Sequence, residues 1–193
     1  MTGDNSAPTP LPGDSFWVEE PLLLAGPYAG APTKAEATAK LEAFLDLGIT
    51  TFLDLTEEGE SSTEHGELRR YDTLLYELAR KRGIEARYAR KPIPDLGIPE
   101  VWHMEAMLGL ITSQMQQSHG VYVHCWGGVG RTGTVLGCLA VERGVPREAV
   151  LERLAKLRAG TKRAGRAAPE TDEQRDLVMS WPSHNCDRHT PEL

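Results

Sequence analysis

The sequence has few cysteines, no excess of positive charge, and no long apolar run. Each shortage excludes something. The formal charge of −7 argues against generic binding to nucleic acid or to acidic membrane surfaces. No stretch approaches the roughly 18 uninterrupted apolar residues of a membrane span. The opening "MTGDNSAPTPLPGDS" has neither the basic start nor the apolar stretch of a secretory signal. Three cysteines, Cys125, Cys138 and Cys186, are too few and too scattered for a disulfide framework. A reducing, cytoplasmic setting is therefore expected, where a cysteine in a glycine-rich turn is a candidate reactive group.

What is present is an alternation of strand-like and helix-like segments in a chain long enough for one sizeable core. Residues 1–15 read as a flexible lead-in, 16–181 as a single domain, and 182–193 as a polar tail. "PLLLAGPYAG" (21–30), "ITTFLDL" (49–55) and "IEARYARKPIP" (84–94) have strand character. Thr33 with Glu36 three residues on forms a capping box for a helix that Gly48 stops. Leu68, Tyr71, Leu75 and Leu78 recur on one helical face ending near Gly83. Pro99 suits the first turn of a helix running to about Ser118. Further helices are expected near 131–143, 147–159 and 170–181.

The informative stretch is "VYVHCWGGVGRTG". A strand runs into a glycine-rich turn and then a helix, which makes an anion cradle: backbone N–H groups point inward and the helix N-terminus adds partial positive charge. Cys125 and Arg131 stand at its two ends, with Trp126, Gly127, Gly128, Val129 and Gly130 between them. Positive surroundings favour the thiolate, the nucleophilic form of a cysteine. A guanidinium offers two parallel donors to two oxygens of one phosphoryl group. Together they specify nucleophilic attack on a phosphate held between the two ends. Upstream, "KPIPDLGIP" is a loop stiffened by Pro92, Pro94 and Pro99, and Asp95 is its only acid before Glu100.

"HCWGGVGRT" resembles the signature of the cysteine-dependent protein tyrosine phosphatases: histidine, cysteine, five residues, arginine, then threonine or serine. With "PIPDLGIP" upstream, the chain is most similar to the dual-specificity branch, near the cyclin-dependent-kinase-associated phosphatases and their bacterial relatives. The resemblance covers roughly residues 16 to 181. It implies an α/β fold with a central, mostly parallel sheet flanked by helices on both faces. It implies Cys125 as nucleophile, Arg131 and the 126–131 amides as phosphate binders, and Asp95 as proton donor and then acceptor. It further implies that Thr132 hydrogen-bonds the departing thiolate, that His124 orders the loop, and that Gln174 matches a water-positioning glutamine. No metal or organic cofactor enters this chemistry.

The implied substrates are phosphotyrosine and phosphoserine/threonine in proteins. Two rivals stand beside them. One is hydrolysis of a small polyanion, an inositol polyphosphate or an RNA 5′ end, anchored by the basic clusters "RYARK" (87–91) and "RAGTKRAGR" (158–166). The other is phosphate binding without turnover. The cradle lacks lysine, which tells against a phosphoinositide 3-phosphatase. No nucleic-acid binding beyond such a substrate, and no membrane partner, is expected. Reversible oxidation of Cys125 would sit on top of catalysis. Cys138 reads as core, Trp102, Met104 and Met107 as core or helix surface, and "HNCDRH" (His184, Cys186, His189) as a terminal tail whose spacing does not fit a zinc site.

Overall fold

The computed structural model describes residues 11–62 and 66–182. The apolar runs pair as strands around one centre. β1 (Phe16–Glu19), β2 (Leu23–Gly26), β3 (Ile49–Asp54), β6 (Arg87–Arg90) and β7 (Gly120–His124) form a sheet in the order β1-β2-β7-β3-β6. Only β1 runs antiparallel to its neighbour; the β2–β7, β7–β3 and β3–β6 pairs are parallel. The expected α/β sandwich is therefore what the chain adopts. Parallel pairing requires crossovers, and α1 (Lys34–Asp46), α2 (Asp72–Lys81) and α3 (Val101–Gln116) help supply them, while α4 (Gly130–Glu142) follows the last strand, β7. α5 (Arg147–Leu157) and α6 (Asp172–Ser180) follow α4. A two-stranded ribbon of β4 (Ser61–Ser62) and β5 (Gly66–Glu67) lies between β3 and α2.

β7 sits between β2 and β3 and is buried along its whole length. Its alternation assigns side chains to opposite cores. Val121 and Val123 pack with Leu53, Met104, Leu108, Leu136 and Trp181 on the α3–α6 side, and Cys125 belongs to that cluster. Tyr122 packs with Phe44, Phe52, Leu41 and Leu75 on the α1–α2 side. Parity alone thus sends the thiol toward α4 and the neighbouring imidazole the other way.

Several boundaries differ from the sequence reading. β1 was not read from the sequence; it is an edge strand whose antiparallel pairing with β2 appears only in the fold. β6 covers only 87–90; beyond it Pro92 and Pro94 have no N–H to give a ladder. Pro99 lies outside α3: Glu100 has extended backbone (φ −62°, ψ 153°) and is the N-cap of a helix that begins at Val101. Leu68 and Tyr71 precede α2 but are buried with it. Met104 and Met107 are core, while Trp102 is exposed at the surface of α3. The tail that carries His184, Cys186 and His189 lies outside the described residues.

Candidate active site

At the end of β7 the chain turns back through Trp126–Val129 before α4. Gly128 has φ +68°, and a Cβ there would lie 2.4 Å from the Gly26 carbonyl carbon, so the turn needs glycine both for its dihedral and for its approach to β2. The Trp126 carbonyl accepts from Tyr28 N at 2.9 Å. The first backbone bond of α4 is Gly133 N to Val129 O, 2.9 Å. The turn before it leads into the N-terminus of α4, where backbone N–H groups lack intrahelical acceptors and can bind an oxyanion.

Cys125 and Arg131 are both buried, 3% and 2% exposed. The Arg131 guanidinium is gripped by Glu60: Nη1 donates to Oε2 and Nη2 to Oε1, each at 2.6 Å. Nη1 also donates to the Ile93 carbonyl at 3.2 Å, and Asp95 Oδ1 lies 3.0 Å from Nη2. Although its burial opposes charge, the hydrogen bonds to Glu60 and the negative charges around it raise the pKa of Arg131 above the usual arginine value. Glu60 is presented by a turn, with Leu68 N donating to its carbonyl at 2.8 Å and Gly59 at φ +75°. Sequence reasoning missed Glu60. It lies 71 residues from Arg131 in an acidic run, "TEEGE", that reads as solvated.

Asp95 occupies a turn closed by Gly97 N donating to Pro94 O at 2.9 Å. Leu96, at φ +61°, takes the left-handed position in that turn, at a cost of about 1–2 kcal/mol. α6 holds the loop from behind: Gln174 Nε2 donates to Gly97 O at 3.0 Å, and Thr171 Oγ1 to Leu96 O at 3.4 Å. Gln174 Oε1 meanwhile accepts from Glu170 N and Thr171 N, completing a capping box with Thr171. Gln174 therefore reaches the cleft with its amide bonded to the backbone of both segments. The motif "TDEQ" carries that capping signature in plain sight.

Asp95, Leu96, Cys125, Arg131, Arg166 and Gln174 are among the residues that line one cleft with about 20 Å³ of free space, room for roughly one water. A wider groove of about 270 Å³ opens between α1 and α2. It contains no cysteine; thiol, guanidinium and acid meet in the smaller cleft. Thr132 Oγ1 and Trp126 Nε1 are the buried side-chain polar atoms without a hydrogen-bond partner among the described residues, and both flank the cradle. Among those residues no group of three or more His, Cys, Asp or Glu side chains is placed to hold a metal.

Behind the cradle lies a second feature that the sequence reading missed, a buried polar network. His124 Nδ1 donates to Cys125 O at 3.0 Å, and Tyr71 OH donates to Nε2 at 2.5 Å. The carbonyl can only accept, so the proton is assigned to Nδ1 and the ring is neutral. Burial pushes the His124 pKa below 6.5, against the opposing pull of Asp54. Asp54 accepts from Thr56 N, Thr56 Oγ1 and Tyr88 OH at 2.9, 2.7 and 2.6 Å. Burial alone would raise its pKa; His124 and the Tyr88 and Thr56 hydrogen bonds outweigh that and hold it below the usual carboxylate value. The signal available in the sequence was an aspartate inside the apolar strand "ITTFLD".

The sign of the resulting pH dependence is definite. A histidine kept neutral in the fold refuses a proton that the unfolded chain takes up below about pH 6.5, so its stabilising contribution is lost as pH falls below that value. Asp54 adds loss of the same sign at lower pH. The melting temperature is expected to fall between pH 7 and pH 5, with a shallower slope in His124→Asn, whose amide can still donate to Cys125 O. An identical slope in the two proteins would remove His124 from the account.

Of the two basic clusters, the first is not among the residues that line the cleft. Arg90 Nε donates to Tyr88 OH at 3.1 Å and Arg87 pairs with Glu85. The second borders the cleft. Cys138 is wholly buried in α4, where burial pushes its thiol pKa up.

Comparison with known proteins agrees with this geometry. Residues 26–178 match the family described as Swiss Army Knife protein, DSP-PTPase phosphatase domain. The chain belongs to that family, within the dual-specificity branch of the cysteine-dependent tyrosine phosphatases. Two uncharacterized proteins of Methanocaldococcus jannaschii, MJ0215 and MJECL20, are 37% and 38% identical over 92 residues, 47% of this chain. Those stretches span 52% and 56% of the relatives, so the match extends over about half their length. Among solved structures, Tk-PTP in its active form superposes with a TM-score of 0.61 at 23% identity, covering 86% of this chain and 93% of that one. Kinase-associated phosphatase with its catalytic-site cysteine replaced by serine gives 0.61 at 20%, covering 81% and 83%. PTPMT1 in complex with PI(5)P gives 0.61 at 17%, covering 87% and 94%.

Proposed function

We propose that the protein hydrolyses phosphate monoesters in two steps through a phosphocysteine on Cys125. The thiolate attacks phosphorus, the ester P–O bond breaks, and Asp95 gives its proton to the leaving oxygen. Water then attacks the phosphocysteine, Asp95 takes the proton, and the P–S bond breaks to release phosphate and thiolate. Arg131 and the cradle amides carry the charge of the transferring group throughout. Thr132, whose hydroxyl is buried without a partner among the described residues, donates to the regenerated thiolate. His124 fixes the turn through the Cys125 carbonyl. The observation that carries this reading is the convergence of Cys125, Arg131 and Asp95 on one cleft, with Asp95 3.0 Å from the guanidinium.

Three of the Arg131 N–H groups are taken by Glu60 and Ile93. That leaves Nε and the side of Nη2 facing Asp95 for a phosphoryl group. As substrate enters it takes that position, and the Asp95 carboxyl is freed to face the ester oxygen. The substrates include phosphorylated side chains of proteins, and the protein works in the cytoplasm. Among the described residues no helix is long and apolar enough to cross a membrane.

The test is hydrolysis of aryl phosphates in excess metal chelator. Asp95→Asn is expected to lose about 10²–10³-fold in kcat on a poor leaving group such as phenol. The loss should shrink on 4-nitrophenol, which departs without help. Equal losses on both, or none, would take the acid role from Asp95.

A further inference from the structure

The segment between α5 and α6 carries Arg158, Lys162, Arg163 and Arg166, charges that a solvated surface loop would leave free to move. Here the loop is fixed from within. Arg158 is buried, 2% exposed. Its Nη2 donates to Arg163 O at 2.8 Å and its Nη1 to Arg166 O at 3.0 Å. One interior guanidinium thus pins the two backbone points from which the other two arginines depart. Asp14 secures the same loop, accepting from Lys162 N at 2.8 Å.

Both departing side chains run to the cradle. The Arg163 guanidinium lies over the Trp126 ring, Cζ 5.1 Å from its centroid. It also packs on the turn itself: a Cβ at Gly127 would stand 3.7 Å from Arg163 Nε. Arg166 lines the cleft with Cys125 and Arg131, with Glu170 at 3.4 Å. A phosphate dianion, with more charge and more acceptor oxygens than a carboxylate, competes well for that guanidinium. Much of the cost of ordering these long side chains is met before any ligand arrives.

We propose that Arg163 and Arg166 form a second-anion subsite, so that the preferred substrate carries at least two phosphate groups on one small scaffold. One phosphate enters the Cys125 cradle and another lies across the two arginines. The inference rests on the phosphatase reading of Cys125. The same chemistry is presented by a soluble polyphosphorylated compound and by a phosphorylated lipid headgroup. For the second source the exposed strip Leu96, Ile98, Val101 and Trp102 beside the acid loop would face the bilayer.

Two readouts test it. With 4-nitrophenyl phosphate, a soluble inositol polyphosphate, and phosphatidylcholine vesicles containing a phosphatidylinositol bisphosphate as substrates, R163A/R166A should lower kcat/KM at least about 30-fold on a multiply phosphorylated substrate. The loss on 4-nitrophenyl phosphate, which carries no second phosphate, should be at least about fivefold smaller than on the multiply phosphorylated substrate. The arm showing the selective loss identifies the source. Independently of turnover, inositol hexakisphosphate should bind Cys125→Ser at least tenfold more tightly than the same variant that also carries R163A/R166A. Equal losses on all substrates, or equal binding, overturn the subsite. If aryl phosphate is hydrolysed normally while neither difference appears, the subsite alone falls. If the wild type hydrolyses nothing yet the binding difference is present, the subsite stands and the phosphatase reading fails.

Discussion

Serine in place of cysteine at position 125 is expected to abolish turnover, lowering kcat/KM by at least about 10⁴-fold, while inorganic phosphate and vanadate still bind. The two outcomes separate because the cradle and the nucleophile come from different atoms. On the proposed mechanism, anion binding is the work of the backbone N–H groups of 126–131, the start of α4 and the Arg131 guanidinium. None of these depends on sulfur. A serine hydroxyl fits the same buried position but stays protonated there, so it supplies no nucleophile for phosphorus. The measurement is paired: steady-state hydrolysis of 4-nitrophenyl phosphate, and calorimetric titration with vanadate. Residual turnover within a hundredfold of wild type would mean that another group, or a bound water, attacks the phosphate.

Lysine in place of arginine at position 131 should cost about 10³-fold in kcat, even though it conserves the charge. Arg131 meets Glu60 with two parallel donors at 2.6 Å, gives a third to Ile93 O, and keeps Nε and one edge of Nη2 for phosphate. Lysine has three donors on a single nitrogen and cannot face Glu60 and a phosphoryl group in one plane. Lysine at this position is expected to turn toward Glu60 and leave the equatorial oxygens of the transition state without a partner. The loss should fall mainly on kcat. A variant within tenfold of wild type would show that the cradle amides suffice and that Arg131 only steadies the acidic turn.

The parts of the site legible in the sequence are those contiguous in the chain. Cys125, the turn 126–130 and Arg131 lie within seven residues, so residue order alone arranges them on a strand, a turn and a helix. Asp95 was legible because prolines on both sides isolate it in a loop. Glu60, Asp54, Tyr71, Tyr88 and Arg158 were not, because each acts on a partner that only the tertiary fold brings near. An acid in "TEEGE" looks like solvated surface, and an arginine ending α5 looks like a helix terminus, until the chain folds. The sheet was similarly legible in the segments that carry β2, β3, β6 and β7 and illegible in β1, β4 and β5, which pair only once the chain folds. Gln174 stands between the two cases. Its capping-box spacing with Thr171 could be read directly, but that spacing says nothing of the bond to Gly97 that ties α6 to the acid loop.

The alternation along β7 makes the site sensitive to counting as well as to chemistry. Val121 and Val123 face one core, Tyr122 the other, and the thiol and imidazole inherit those sides from their parity. A one-residue insertion anywhere between Gly120 and His124 would keep every amino acid and exchange the two sides, turning the sulfur toward Tyr71 and the imidazole toward α4. Substitutions within this strand can be graded by size and polarity. Changes in its length admit no such grading, so the reading frame of the pleat is itself what places the thiol in the cleft.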